Sequence, residues 1–301
     1  MKKKALGCLV ILIGLPLLCG VLTFVFSEYQ IRRVYHIPAA NLTIPTDAAS
    51  LARGKHLVEV IGGCPECHGY SLQGRPDFLN EPLIGHIPAA NLTPHQTGVG
   101  SVYTVADWER AIRHGVGRDG RALFGVSSGA LQHLSDADVA AIIAHLQSIP
   151  PGKREIPPRQ LGPLARPFVL ISLLLPETEN DIMPALVIDH DAARPPAPEP
   201  GITVEYGRYL VLLTCVECHK ADLGGGSEPG EGMNITTGGN LGNWTEAEFI
   251  WAIKTGVTPE ANLLNVTYMP QNRLRHLTEE ELKAIWLYIQ SIPPVTRQQQ
   301  K

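Results

Sequence analysis

The chain of 301 residues carries 25 Lys and Arg against 29 Asp and Glu, a formal net charge of −4, with 44% hydrophobic and 18% charged residues. This is ordinary globular composition with room for two small domains. The charge argues against a nucleic-acid partner, because the one basic run, Lys2-Lys3-Lys4, flanks an apolar segment instead.

That segment, Ala5 to Phe26, is an uncharged run of 22 residues, long enough for one helix to cross a bilayer. Residues 1–33 read as an uncleaved membrane anchor or as a signal peptide. A signal region is usually shorter and ends at small residues, and the only weak cleavage pattern is Val25-Phe26-Ser27, which favours the anchor. Pro16, Leu17 and Leu18 precede Cys19 where a lipobox needs small residues. Lys2 to Lys4 favour a cytoplasmic N-terminus, against which Arg32 and Arg33 stand on the other flank.

Gly54 to Ile61 reads as a short helix entering Cys64-Pro65-Glu66-Cys67-His68, and Gly207 to Leu213 as one entering Cys215-Val216-Glu217-Cys218-His219. Each pentapeptide is C-x-x-C-H, the spacing of a c-type haem attachment site. Two thiols three positions apart can each form a thioether to a haem vinyl group, and the histidine that follows is then placed beneath the ring. Cys64, Cys67, Cys215 and Cys218 are the expected thioether residues. His68 and His219 are the expected proximal iron ligands, neutral imidazoles whose second nitrogen needs a fixed partner. A tetrahedral zinc site would need all four thiols together, yet the pairs lie 151 residues apart. A thioredoxin-like redox pair would want a βαβ context that neither motif has. Cys8 and Cys19 lie in the apolar run, so nothing remains for a disulfide framework.

The two motifs head two copies of one pattern. Tyr103-Thr104 through Trp108, Ala111, Ile112, Gly115 and Val116 match Trp244-Thr245 through Phe249, Ala252, Ile253, Gly256 and Val257. The segments Val105 to His114 and Glu246 to Thr255 are helical in pattern and stopped by glycine. Ser135 with Asp138, and Thr278 with Glu281, are cap and third-position acid pairs opening apolar-periodic helices that end before Pro150-Pro151 and Pro293-Pro294. No strand alternation is evident, so the expected class is all-α. The organisation is residues 1–33 as anchor, 46–152 and 201–296 as homologous domains, and a proline-rich connector over 153–200, long for a structureless loop. Phe168 to Leu175 within the connector is apolar but too short to span, so burial against a domain is expected.

These residues resemble class I cytochrome c domains, and specifically the membrane-anchored multihaem cytochrome subunits that serve periplasmic dehydrogenases. The resemblance covers nearly the whole chain after the anchor. It rests on the two C-x-x-C-H motifs, Asn91-Leu92-Thr93-Pro94 and Asn234-Ile235-Thr236, the string Gly-Val-Gly-Arg-Asp-Gly at 115–120, and His-Leu-Ser/Thr before each last helix. It implies two tandem cytochrome c domains with two covalent haem c groups outside the cytoplasmic membrane, and close crossings of first and last helices at Gly54 and Gly207, with His145 and Tyr288 as packing partners. Family subunits of this type often have three haems, and here there are two motifs.

The resemblance also places a methionine ligand nine positions before the last-helix cap. In the second copy that residue is Met269, with Met233 as the fallback; in the first copy it is Val126, which cannot bind iron. The first haem is then five-coordinate, ligated by a histidine, or completed from elsewhere. His56, His86, His95, His114, His133 and His145 are available, and His36 lies in an octapeptide, His36 to Thr43, repeated verbatim at 86–93. His133 has His276 as its counterpart, and His56 and His145 take the places of Tyr209 and Tyr288, so His114, His95 and His86 remain. The leading functional expectation is membrane-tethered electron transfer between redox partners, which include a dehydrogenase subunit, an oxidase or a soluble cytochrome. The alternatives are a peroxidase-like haem enzyme or a gas or redox sensor using an open first haem.

Overall fold

The computed structural model describes residues 2–38, 40–174, 182–194, 196–226, 231–266 and 268–296, with the backbone alone for 2–11, 172 and 174. Ala39 of the octapeptide, Pro195 of the connector, Leu175 and the side chain of Cys8 lie outside the described residues.

The chain opens with α1 (Lys2–Arg32), a helix that runs through Pro16. Its stretch Leu12–Arg32 is apolar and long enough to cross a membrane and is almost wholly unburied. An extended segment leads to α2 (Ala48–His56), capped by the Asp47 side chain and continued as a π-helical turn, Leu57–Ile61. The first motif forms the single turn α3 (Cys64–His68). Then follow β1 (Arg75–Glu81), β2 (Gly85–Ala89), α4 (Val105–His114), α5 (Ser128–Leu131) and α6 (Asp136–Ser148). The connector holds β3 (Gln160–Leu161) and α7 (Ala165–Leu174). The second copy runs through α8 (Val204–Thr214), α9 (Val216–His219), α10 (Glu246–Thr255), α11 (Gln271–Leu274) and α12 (Glu279–Ser291).

The main helices begin where their sequence caps them. Thr104 with Asp107, Thr245 with Glu248 and Thr278 with Glu281 form reciprocal capping boxes, and Ser135 accepts from the Asp138 backbone. Gly115 and Gly256 end α4 and α10 at φ +62° and +79°, a conformation glycine adopts without strain.

In each copy the first and last helices cross at a glycine. A Cβ on Gly54 would stand 2.0 Å from the Ala141 carbonyl oxygen and 3.0 Å from His145 Cβ; on Gly207 it would stand 1.9 Å from the Ala284 oxygen and 2.9 Å from Tyr288 Cβ. The absence of side chains lets the backbones touch at the positions the resemblance implies. One hydrophobic cluster runs through both crossings, including Leu57, Ile143, Leu210 and Ile285.

Two departures from the sequence reading concern the first copy and the connector. A small antiparallel sheet, in order β1-β2-β3, corrects the expectation that strands are absent. The stretch from His68 to Asn91 is eight residues longer than its counterpart from His219 to Asn234, and the extra length folds back as this hairpin. Pro76 and Pro88 hide its strand pattern. β1 is an edge strand and β3 pairs only with Gly85 and His86, so neither proline removes a needed donor. The connector, secondly, is structured: α7 packs along α1 and also against the first copy. Arg166 bonds Glu28 at 3.0 Å and lies over the Phe24 ring, and Val169 is fully buried in a second cluster with Tyr35, Val116 and Met183.

Candidate haem-binding sites

Cysteines three apart on one helical turn point to the same side; α3 carries both cysteines of its motif, α9 carries Cys218 with Cys215 as its N-cap residue, and a histidine completes each turn. His68 Nδ1 donates to the Ala90 carbonyl at 2.7 Å and His219 Nδ1 donates to the Met233 carbonyl at 2.6 Å. The carbonyl can only accept, so the proton is fixed on Nδ1 and Nε2 is left with its lone pair for a metal. Burial pushes both imidazoles down from the usual histidine range, the hydrogen bonds opposing it in part, so both are neutral at physiological pH.

The carbonyls that orient the imidazoles are themselves anchored. Asn91 Nδ2 donates to the Gly152 carbonyl at 2.7 Å, and its Oδ1 accepts from the backbone and hydroxyl of Thr93 at 3.0 and 2.8 Å. Asn234 Nδ2 likewise donates to the Val295 carbonyl at 2.7 Å, with Thr236 donating to Oδ1 at 2.9 and 2.7 Å. The Asn-x-Thr strings thus tie the segment behind each histidine to the chain leaving each last helix. The loops after the motifs repeat too: Leu72 and Leu223 both take φ near +55° (55° and 56°), and their carbonyls accept from Leu92 and Ile235.

Burial raises the Cys64 thiol to about 12, the Cys215 thiol to about 11, and the Cys67 thiol in the same direction. A redox-active pair is tuned the other way, toward the thiolate. Neutral thiols at the end of a helix, with an oriented imidazole beside them, fit covalent haem: the cysteines could hold the vinyl edge and His68 and His219 the iron.

Ahead of α11 and α5 the two copies share a backbone turn and differ in side chains, Met269 standing where the first copy has Val126. Met269 accepts from the Gln271 backbone at 2.7 Å immediately before α11, and Val126 accepts from the Ser128 backbone at 2.7 Å immediately before α5. Met269 is half-buried against the core. Met233, 54% exposed, has its carbonyl on the imidazole of His219 and its sulfur 3.5 Å from Asn240 Nδ2. The histidines of the first copy are engaged elsewhere. His56 Nε2 lies 2.9 Å from both Glu281 oxygens, His86 Nε2 donates to the Pro76 carbonyl, and His95 Nδ1 pairs with Thr97 Oγ1. His133 and His36 are exposed, and His145 packs at the helix crossing. His114 is buried, its Nδ1 3.0 Å from His190 Nδ1 and its Nε2 3.5 Å from Glu109, in a cleft of about 210 Å³ that also holds Arg113 and Arg194.

Contacts between the copies were not legible beforehand. Tyr209 donates to Asp138 Oδ2 at 2.7 Å, while His56, at the matching position, meets Glu281, the match of Asp138. Arg53 forks onto Asp138 at 3.0 and 2.9 Å and reaches Tyr206, its own counterpart, at 3.2 Å. The interface is therefore reciprocal. Arg273 of α11 crosses it to the first motif.

Residues 203–289 match the family described as cytochrome c oxidase, cbb3-type, subunit III. The chain is 28% identical over 287 residues to the fructose dehydrogenase cytochrome subunit of Gluconobacter japonicus, covering 84% of this chain and 56% of that one. It is 25% identical over 287 residues to the quinone alcohol dehydrogenase cytochrome c subunit of Gluconacetobacter polyoxogenes, covering 84% and 58%. It is 26% identical over 264 residues to a diheme cytochrome c-type protein of Cereibacter sphaeroides, covering 78% and 83%. The chain thus spans less than two thirds of the length of the dehydrogenase subunits. Motifs, oriented imidazoles and relatives agree: the chain is similar to the cytochrome c subunits of dehydrogenases.

Proposed function

We propose that the chain is a dihaem electron-transfer cytochrome, with tandem cytochrome c domains over 46–152 and 201–296 tethered by α1 on the outer face of the cytoplasmic membrane. The observation that carries this reading is the pair of C-x-x-C-H turns whose histidines each spend Nδ1 on a backbone carbonyl and keep Nε2 free. Each haem would supply a one-electron iron couple. Cys64 and Cys67, and Cys215 and Cys218, hold the groups covalently; His68 and His219 are proximal ligands, and Met269 is the distal ligand of the second site. The backbone carbonyls fix the imidazoles, which tunes the couple. The named relatives support a dehydrogenase as electron donor; an oxidase or a soluble cytochrome would be the acceptor.

Val126 supports a second reading, in which the first site keeps an open distal position for peroxidase-like chemistry or gas sensing. One experiment separates the two. Intact mass and haem counting on the purified chain should give two covalent haems, and a reduced-minus-reduced-plus-CO spectrum reports the open position. No CO binding favours pure electron transfer, and one CO per two haems favours an open first site. A chain that matures with no covalent haem refutes both.

A further inference from the structure

Arg273 is the side chain by which the second copy reaches the first motif. It belongs to α11 of the second copy, four residues after Met269, yet Nη1 donates to the carbonyls of Val60 and Ile61 at 2.6 Å each, and Nε lies 3.3 Å from Glu66 Oε1 inside the first C-x-x-C-H. Those carbonyls are among the unpaired acceptors where the π-helical turn ends before Cys64, the negative end of a helix, where a cation is most favourable. The guanidinium packs so closely that a Cβ on Gly63 would stand 2.9 Å from its Nε. Its side chain is 13% exposed against 48% for Glu66, so solvent screens the acid more than the base. At the matching position of the first copy stands Ala130, 2% exposed, with no charge to offer the second motif. The contact is therefore one-sided in an otherwise reciprocal interface.

Resting on the reading that both motifs carry haem, we propose that Arg273 is a positioning and tuning residue for the first site: a fixed cation, lent by the second domain, that raises the reduction potential of the haem held by Cys64 and Cys67 and ties α11 to the first attachment turn. A buried cation beside an iron couple disfavours the oxidised form, which carries one more positive charge. This bears on the first site in particular, because Val126 withholds from it the thioether that raises the potential of a Met-ligated haem. The cation offsets part of that deficit and narrows the gap an electron must cross between the sites. A unit charge about 10 Å from a centre, at an effective dielectric of about 20, is worth on the order of tenfold in the electron-sharing equilibrium.

The test is a spectroelectrochemical titration of the full, detergent-solubilised chain and its Arg273→Gln, Arg273→Met and Arg273→Lys variants, each first checked by intact mass for two covalent haems. In the Gln and Met variants the first haem should become about tenfold harder to reduce relative to the second. The Lys variant should recover most of the shift, and the methionine–iron charge-transfer band of the second haem should be unchanged. Equal shifts of both haems, no shift, or a Lys variant no better than Gln overturns the proposal. A wild-type chain with fewer than two haems refutes the dihaem reading instead, so the two failures are distinguishable. If the neutral variants lose haem, Glu66→Gln is the second route: removing the acid beside Arg273 should ease reduction of the first haem, and a shift in the opposite sense overturns the assignment.

Discussion

Gly207→Ala tests the helix crossing. The new Cβ would sit 1.9 Å from the Ala284 oxygen and 2.5 Å from its carbonyl carbon, where ordinary contact begins at 3.4 Å. Close packing leaves no space to absorb it, so α8 and α12 must separate by about 1 Å. Overpacking of this kind costs about 1–3 kcal/mol and occasionally more, and the gain in helix propensity over glycine returns about 1 kcal/mol. The clash involves backbone, which cannot rotate away, so the upper part of the range applies and the net loss should be about 2 kcal/mol. Urea unfolding of the haem-loaded chain, followed by circular dichroism, measures it. Gly201→Ala is the control, since nothing lies within 4 Å of its added Cβ. A Gly207→Ala chain with the same midpoint and slope as Gly201→Ala would refute the argument that backbone contact at this crossing holds the second half together.

Two more outcomes follow from buried groups and from the distal register. Burial alone would push the Glu281 carboxyl up, but the hydrogen bond and charge of His56, the Thr278 backbone and Arg53 outweigh it and hold the group below its ordinary value of 4.5. A lowered carboxylate contributes stability above its unfolded value that is lost as pH falls through the folded one. Stability should therefore decline below about pH 4.5, and Glu281→Gln should cost about 2 kcal/mol at neutral pH while flattening that decline; an unchanged acid limb in pH-dependent urea melts contradicts this. Val126→Met should give the first haem the ligand its fold position offers, abolishing any CO binding there and raising its potential toward that of the second, as read in the CO difference spectrum and redox titration.

What could be read from the sequence was what is local. α4 and α10 occupy Val105–His114 and Glu246–Thr255 as expected, because threonine caps and terminal glycines act within a turn of themselves. The crossings at Gly54 and Gly207 and the Met269 position came through the resemblance, and Val126 through the same nine-residue spacing in the first copy. The hairpin escaped because its prolines break the alternation that marks a strand, and because an eight-residue insertion has no counterpart to compare. Arg273 escaped for a different reason. On a four-residue helix it has no periodic face to declare, and its partners lie more than two hundred positions away.

The reciprocal contacts of Tyr209 with Asp138 and His56 with Glu281 are those of two like bodies meeting about a twofold axis. Two separate molecules would have to find each other at cellular concentration, through a face that adds carboxylates, a guanidinium and phenols to the shared hydrophobic cluster and would have to be sticky enough to hold them. Carried on one polypeptide, the partner is always present at an effective concentration in the millimolar range or above. Covalent linkage thus frees the face from having to be sticky. Symmetry can then be broken residue by residue, Arg53 against Tyr206 and Arg273 against Ala130, and a pair of equal halves becomes a directional one.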